Sequence, residues 1–156
     1  MGYALNLWAA PVDDLQRLLS DGSGSADGPG VAEATPEQTD VVASWLGETG
    51  RPIDSVDHSS SAGDWFRDEV IGGPVAERFG ADLAEHLLSR PLAGLVWNEF
   101  PGVGWVRNAE IRAALTDEAR ADVPDPDTDE GEVVQTITDA LIRVMESGQD
   151  LVTYYS

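Results

Sequence analysis

The stretch VVQTITDALIRVMESGQDLVTYY, residues 133–155, contains the strongest helix signal of the chain and a strand signal directly after it. Gly148 separates the two, and glycine is the residue type that most often ends helices. The segment from Leu151 to Tyr155 is rich in the β-branched and aromatic residues that favour strands. The stretch therefore predicts a closing strand preceded by a long helix with the apolar stripe Val133, Val134, Ile137, Ala140, Leu141, Val144 and Met145.

The first residues of the chain predict a second strand. Tyr3, Leu5 and Leu7 occupy alternate positions and give one strongly apolar face. Strands at both ends with helices between them fit a small sheet in which the first and last strands could be neighbours and helices cover one side. Periodicity does not fix the strand order. The predicted fold class is therefore α+β, with about five or six helices over a sheet that includes the N- and C-terminal strands.

Caps and turn residues divide the intervening chain into further elements. The segment from Leu92 to Val106 is apolar but interrupted by glycine, which predicts one or two strands with tight turns. In the first half of the chain, the predicted elements are a helix from Pro11 to about Ser20, a loop from Asp21 to Gly30, a helix capped by Thr35 and stopped by Gly47, and a polar loop from Glu48 to Ser61. Further along, we predict a short helix at Trp65 to Gly73 and a helix opened by Pro74 that carries Val75, Phe79, Leu83 and Leu87. A last short helix is capped by Asn108.

Length and composition indicate one folded domain over residues 1–156. A hydrophobic content of 42% with five tryptophans favours folding, although the net charge of -20 opposes it. The glycine- and serine-rich composition of residues 21–30 predicts a mobile loop. There is no cysteine, which excludes disulfides, thiolate metal sites and cysteine nucleophiles.

The start of the chain lacks the basic region of a signal peptide, and Pro11, Asp13 and Asp14 follow its apolar residues almost at once. No apolar run approaches the roughly 18 residues of a membrane span. We therefore expect a cytoplasmic location and no membrane association.

The charge balance restricts the partners that the protein can attract. Twenty-nine acidic residues stand against nine basic ones, and all nine are arginines. A GC-rich genome or a saline habitat would produce the same bias without any function. In either case the field repels phosphate backbones, so we expect no direct nucleic-acid binding, whereas a basic protein would be attracted.

The acidic residues are concentrated in two blocks that contain no basic residue. The first block runs from Leu18 to Gly50 with six acids, and the second from Ala121 to Ile142 with seven. Such blocks are usually solvated faces. If they lie side by side in the fold, they form one continuous negative surface suited to a basic toxin or a nuclease.

The carboxylates Asp125, Asp127 and Asp129 resemble the start of a calcium loop. An EF-hand loop that begins at Asp125 needs glycine at its sixth position and glutamate at its twelfth, where this chain has Glu130 and Thr136. The alternative is that Asp127 and Glu130 form a capping box for the long helix. We favour the cap and predict no metal site.

No other motif predicts catalysis or a cofactor. The glycines after Asp21 do not have the spacing of a dinucleotide fingerprint. The segment Asp57-His58-Ser59-Ser60-Ser61 contains the residue types of a hydrolytic triad, but a triad is assembled from separated segments, and a polar loop explains it better. Asp82 and His86, four residues apart, supply at most two metal ligands and are better explained as an ion pair.

The segment from Trp97 to Arg107 combines aromatic and charged residues with glycine-permitted turns. Such segments form pockets or interface anchors in many proteins. In that case the aromatic residues are anchors, and Glu99 or Arg107 provides specificity. The simpler interpretation, which we favour, is that the aromatic residues complete the core.

Three segments carry a resemblance to a known family: Tyr3-Ala4-Leu5-Asn6-Leu7, Phe100-Pro101-Gly102-Val103-Gly104-Trp105, and Asp150-Leu151-Val152-Thr153-Tyr154-Tyr155. Together they resemble an uncharacterised family of short acidic proteins from high-GC Gram-positive bacteria. The match is better at the ends of the chain than in its middle. It implies a bacterial cytoplasmic setting and no assigned activity.

These observations favour a non-enzymatic, protein-binding module, an immunity or inhibitor protein that neutralises a basic toxin or nuclease. The alternative is a small-ligand-binding protein or an enzyme that uses an aromatic pocket near Trp97 to Arg107. We predict no cofactor and no catalytic residue. The candidate interface residues are Trp97, Glu99, Phe100, Trp105, Arg107, Asp125, Asp127, Asp129, Glu130 and Glu132.

Overall fold

The computed structural model describes residues 2–22, 32–59, 64–92, 94–97, 102–117 and 127–156. The elements of these residues are β1 (Gly2–Ala10), α1 (Val12–Gly22), β2 (Ala32–Glu33), α2 (Pro36–Thr49), β3 (Arg51–Ser59), a π-helix (Trp65–Val75), α3 (Ala76–Phe79), α4 (Ala81–Leu88), β4 (Leu95–Val96), β5 (Gly102–Val106), α5 (Asn108–Ala114), α6 (Asp129–Ser147) and β6 (Asp150–Tyr155). The predicted α+β class is confirmed. Residues 23–30 of the predicted mobile loop lie outside the described residues.

Four strands form an antiparallel sheet in the order β3-β1-β6-β5. Within it Leu5 of β1 lies opposite Val56 on one side and Tyr155 on the other. The first and last strands, β1 and β6, are neighbours, an arrangement that the sequence allowed without fixing it. The strands predicted between Leu92 and Val106 are confirmed. The short strands β2 and β4 form a separate parallel pair.

One face of the sheet packs against α6, the π-helix and α4. Its core contains Leu5 and Leu7 from β1 together with Phe66, Ile137 and Leu141 from the helices. Apart from Phe66 of the π-helix, these residues belong to the apolar stripes that the sequence predicts for β1 and for the long C-terminal helix. The helical and strand periods therefore position this core.

The other face of the sheet is covered as well, by α1 and α2, so the prediction that helices cover one side only is wrong. Leu15 of α1 and Leu46 of α2 pack there with Val103 and Val152 of the sheet. Consecutive residues of a strand point to opposite faces, and Leu151 and Val152 in β6 are both fully buried. A strand that is apolar on both faces needs a layer of structure on each side.

Residues 51–59 form strand β3, so the prediction of a polar loop from Glu48 to Ser61 is wrong. Ile53 and Val56 are the only aliphatic residues of the strand, which leaves little hydrophobic pattern to detect. The strand lies at the edge of the sheet and is stabilised by main-chain hydrogen bonds to β1, which do not depend on side-chain type.

Gly47 does not stop α2, which continues to Thr49 and ends where the Gly50 N–H donates to the oxygen of Leu46 at 2.9 Å. A glycine inside a helix costs only about 1 kcal/mol relative to alanine, so packing outweighs it. The spacing of Val41, Val42, Trp45 and Leu46 predicts one apolar face for this helix. Val42 and Leu46 are buried as predicted, whereas Val41 is 41% exposed.

Pro74 does not open a helix but lies inside the π-helix, and the break comes at Gly80 instead. The wide turn is closed by a hydrogen bond from the Ala76 N–H to the oxygen of Ile71, five residues earlier. Gly80 has a φ of 102°, a conformation that glycine adopts without strain. The predicted apolar stripe is nevertheless buried throughout, at Val75, Phe79, Leu83 and Leu87.

The cap of α6 is Thr128, so the predicted capping box of Asp127 and Glu130 is wrong. The Thr128 hydroxyl accepts a hydrogen bond from the Gly131 N–H at 3.0 Å. Both predicted cap residues are exposed. The helix starts one residue later than the acidic spacing suggests, because the Thr128 hydroxyl also accepts a hydrogen bond from the first turn, as threonine commonly does at this position.

Asn108, the predicted cap of α5, is its first helical residue, and the N-cap is Arg107. The Arg107 N–H donates to the Glu110 carboxylate at 3.0 Å. The Asn108 side-chain amide instead donates to the main-chain oxygen of Gln149 at 2.8 Å. Asn108 thereby ties α5 to the end of α6.

Candidate functional site

A cleft of about 340 Å³ lies at the β3 edge of the sheet, between β3, the start of the π-helix and the start of α6. We call it the β3 cleft. Its lining residues are Ser55, Val56, Asp57, His58, Trp65, Asp129, Glu132, Val133 and Thr136.

Three carboxylates line the β3 cleft, from Asp57, Asp129 and Glu132, and its described lining contains no arginine. Asp129 and Glu132 belong to the acidic first turn of α6. The helix dipole stabilises an acidic residue there by about 0.3–1 kcal/mol, which offsets their mutual repulsion. The fold thus tolerates a local concentration of negative charge at this position.

His58 and Tyr155 form the aromatic floor beside the cleft. The His58 ring stacks on Phe66 with centroids 4.6 Å apart, and its Nε2 is hydrogen-bonded to the Tyr155 hydroxyl. Burial raises the pKa of Tyr155 above its ordinary value, so the phenol is neutral at physiological pH. The Tyr155 phenol therefore adds no charge beside the three carboxylates at physiological pH.

Asp57 and His58 do not form a triad arrangement. As consecutive residues of β3 they direct their side chains to opposite faces of the strand. Both nevertheless line the cleft, which shows that it opens along the edge of β3 rather than on one face of the sheet. Ser60 and Ser61 of the motif lie outside the described residues.

The two acidic blocks do not merge into one surface in the described part of the chain. Glu37 and Asp40 of the first block are exposed on α2, whereas Asp129 and Glu132 of the second are exposed on α6. These helices cover opposite faces of the sheet. Only the second block reaches the β3 cleft.

Trp97 lies in the core between α2 and the sheet. Its side chain is 6% exposed, and its Nε1 donates a hydrogen bond to the Thr39 hydroxyl at 3.0 Å. The indole thus pairs its only polar group internally.

Trp105 and Arg107 lie together at the opposite edge of the sheet from β3. The Arg90 guanidinium lies 3.7 Å from the centroid of the Trp105 ring, and that of Arg107 lies 5.3 Å away. Arg90 also pairs with Glu110 at 2.9 Å, and Arg107 pairs with Asp13 at 2.9 Å. The aromatic face and both guanidinium groups are therefore occupied by contacts within the chain.

The remaining predicted residues are divided between the surface and the undescribed segments. Asp127 and Glu130 are exposed beside the start of α6 and do not line the cleft. Glu99, Phe100 and Asp125 lie outside the described residues, and their proposed roles stay predictions.

A second cavity, of about 450 Å³ and mostly apolar, lies between α4 and α5 with Asp82, His86 and Glu110 on its wall. The His86 Nδ1 is buried without a hydrogen-bond partner in the described structure. Burial and the Arg90 charge lower the pKa of His86 below its ordinary value of 6.5, although Glu110 and Asp82 act in the opposite direction. His86 is therefore neutral at physiological pH.

Across the ranges that the structure describes, no three histidine, aspartate or glutamate side chains are arranged to hold a metal ion. In the same ranges, no helix has the length and apolarity needed to cross a membrane.

Comparison of the chain with protein-family models, with curated proteins and with solved structures finds no match. The resemblance to short acidic proteins of high-GC Gram-positive bacteria stays a prediction. The function proposed below rests on the residues of this chain.

Sequence reasoning found Asp129 and Glu132 but missed Trp65 and the β3 residues that complete the cleft. The sequence predicts a short helix at Trp65 and indicates no functional role for it. The polar sequence around Asp57 and His58 predicts a loop rather than a strand. The sequence signal for β3 is its run of polar residues, because a polar, charged segment is typical of an edge strand as well as of a loop.

Proposed function

We propose that this chain is a non-enzymatic binding module that recognises a basic protein through the β3 cleft, as an immunity or inhibitor protein that neutralises a basic toxin or nuclease. The supporting observation is the convergence of Asp57, Asp129 and Glu132 on one cleft without an arginine in its described lining.

A cation in the β3 cleft would meet complementary chemistry. Carboxylates accept charge-assisted hydrogen bonds from arginine or lysine, and these are about twice as strong as neutral ones. Trp65 is partly buried and offers an indole to the same space. An indole stabilises a guanidinium held over its face by about 0.5–2 kcal/mol.

The net charge of -20 supports the proposal through the rate of association. A negative protein attracts a positive partner over distances near the Debye length, about 10 Å at 0.1 M salt. Steering of this kind raises association rates and suppresses binding to acidic proteins. Acidic residues away from the cleft, including those on α2, contribute to this long-range field rather than to contacts.

The alternative, a small-ligand site near Trp97 to Arg107, receives less support. The indole N–H of Trp97 bonds to Thr39, and that of Trp105 bonds to the oxygen of Pro91 at 3.1 Å. Both rings are used to hold the fold together. The described tryptophans of this segment therefore use their polar groups within the fold rather than for a ligand.

A pull-down with matched variants tests the proposed function. The cleft variant carries Asp129→Asn and Glu132→Gln, and the control carries Glu37→Gln and Asp40→Asn on the opposite face. Both variants remove two negative charges and keep the side-chain shapes. Each immobilised protein is challenged at low salt with the basic proteins encoded beside its gene, and the toxic or nuclease activity of the captured protein is then measured.

The wild type and the control should capture the same basic protein and inhibit it. The cleft variant should bind it about tenfold more weakly, because two exposed charge pairs contribute about 1.4 kcal/mol together. Equal weakening by both variants would show that only net charge matters. Capture of no basic protein by the wild type would contradict the proposal.

A further inference from the structure

The outer side of β3 is an open edge of the sheet. β3 pairs with β1, and in the described part of the chain no strand pairs with its other side. An unpaired edge presents main-chain N–H and C=O groups that can bond to another extended chain.

The alternation of main-chain hydrogen bonds along β1 and β3 identifies which N–H and C=O groups of β3 point away from the sheet. Ala4 and Ser156 donate to each other's oxygens at 2.7 and 3.0 Å, so the Ala4 polar groups point toward β6. Successive residues of a strand direct these groups to opposite sides, so those of Leu5 point toward β3 and its partner Val56. Asp57, the next residue, therefore directs its N–H and C=O away from β1 and into the β3 cleft.

The first half of this edge is protected against pairing, whereas the second half is not. Pro52 has no N–H, and the register shifts opposite Leu7 and Trp8, which marks a bulge. The Arg143 guanidinium covers the oxygen of Ile53 at 3.4 Å. These are features that normally block edge pairing, and they end before Ser55.

From Ser55 onward, main-chain groups on the outer side of β3 are open to pairing. The Ser55 N–H donates to the Asp54 carboxylate at 2.8 Å, which leaves the Ser55 oxygen and both polar groups of Asp57 facing outward. Both residues line the β3 cleft. The open part of the edge therefore coincides with the carboxylate-rich cavity.

We propose that a basic, extended segment of the protein partner adds to the Ser55–Asp57 edge as a fifth strand and places an arginine or lysine in the β3 cleft. This inference rests on the proposed function, because it specifies how the basic partner binds at the same site. Asp57 supplies the main-chain pair of hydrogen bonds. Asp129, Glu132 and Trp65 receive the cationic side chain.

Charge selects this occupant over a second copy of the chain. Pairing of β3 with another β3 would bring Asp54 and Asp57 of one copy close to the same residues of the other. Like charges opposite each other in a sheet destabilise the pair. A segment with basic residues at alternate positions places them about 6.6 Å apart on one face, which allows successive cations to follow the acidic edge.

Two synthetic peptides of nine residues test the strand addition. One alternates arginine and threonine, and the other has the same sequence with every amide N-methylated, which keeps the charge and removes the main-chain donors. Affinity for the wild-type protein is measured at low salt by calorimetry. Exchange of the Asp57 amide is followed by NMR with and without peptide.

We expect the unmodified peptide to bind about tenfold more tightly than the methylated one and to slow exchange at Asp57 at least tenfold. The amides of Val56 and His58 should change less, because they already face β1. The cleft variant should weaken binding of both peptides, whereas the control variant should not.

Three results would overturn the inference. Equal affinity of the two peptides with no protection at Asp57 would show binding by charge alone and would leave the proposed function standing. Failure of both peptides to bind would exclude this edge as a basic-strand site, while the proposed function would still be judged by capture of the neighbouring basic protein. Protection of Asp57 that rises with protein concentration without peptide would assign the edge to a second copy.

Discussion

Gly104 of β5 lies directly against the main-chain oxygen of His86 in α4, so closely that a side chain at position 104 would overlap it. Opposite Gly104, in the neighbouring strand β6, the Thr153 hydroxyl donates a hydrogen bond to the main-chain oxygen of Leu87 in α4 at 2.8 Å. The absence of a Cβ atom is thus what allows α4 to pack against the sheet.

We expect Gly104→Ala to lower the free energy of unfolding by about 1–3 kcal/mol, the usual cost of overpacking against rigid backbone. Urea denaturation measures the change. Gly47→Ala is the control, because a Cβ atom there meets nothing within 4 Å and the residue lies inside α2. That variant should gain about 0.5–1 kcal/mol. Equal effects at the two positions would contradict the close packing.

Thr39→Val should destabilise the protein because it removes the acceptor of the Trp97 N–H. An unpaired buried donor costs about 1–3 kcal/mol. Thr136→Val serves as the comparison, since the Thr136 hydroxyl donates to the Glu132 oxygen of its own helix at 2.9 Å in an exposed position. Urea denaturation and Trp fluorescence should show a clear loss for Thr39→Val and little change for Thr136→Val. A stable Thr39→Val variant would mean that the hydrogen bond contributes little.

The ionisation of Glu110 should make the free energy of unfolding depend on pH. Burial opposes its ionisation, but the hydrogen bonds from Arg90 and from the Arg107 backbone, with the Arg90 charge, outweigh burial and hold the pKa below its ordinary value of 4.5. A depressed carboxyl pKa stabilises the fold above pH 4.5, and this contribution is lost as the pH falls through the folded-state pKa.

The stability difference between wild type and Glu110→Gln should therefore be largest at neutral pH and should narrow below pH 4.5. Urea midpoints of both proteins at several pH values provide the measurement, and taking their difference cancels the titration of the other carboxylates. A difference that stays constant with pH would contradict the depressed pKa.

The fold favours the neutral form of His86, whereas it favours the charged form of Glu110. With a folded-state pKa below 6.5, the unfolded chain takes up a proton first, so stability is lost as the pH falls below 6.5 toward the folded-state pKa. His86→Leu removes both the titration and the unpaired Nδ1. We expect that variant to be at least as stable as the wild type at neutral pH and to lose less stability on mild acidification.

NMR titration of the His86 ring checks the same point directly. A midpoint at or above 6.5 in the folded protein would contradict the predicted direction.

The candidate site was only partly predictable from the sequence. Asp129 and Glu132 were found because acidic blocks are visible in a linear sequence. Their partners Asp57 and Trp65 come from other segments, and no local pattern links the three. The expectation that the two acidic blocks could form one surface depended on helix placement, and the sheet separates them.

Local periodicity in the sequence determined β1 and the long helix α6, because elements with strong apolar stripes carry their own pattern. The β-branched and aromatic composition of residues 151–155 determined the closing strand β6, and together these elements determined the α+β class. Tertiary structure alone decided that β3 is a strand, that helices cover both faces of the sheet, and that a carboxylate cleft opens at its edge. The physical reason is that β3 has few apolar side chains and is held by main-chain hydrogen bonds to a strand distant in sequence.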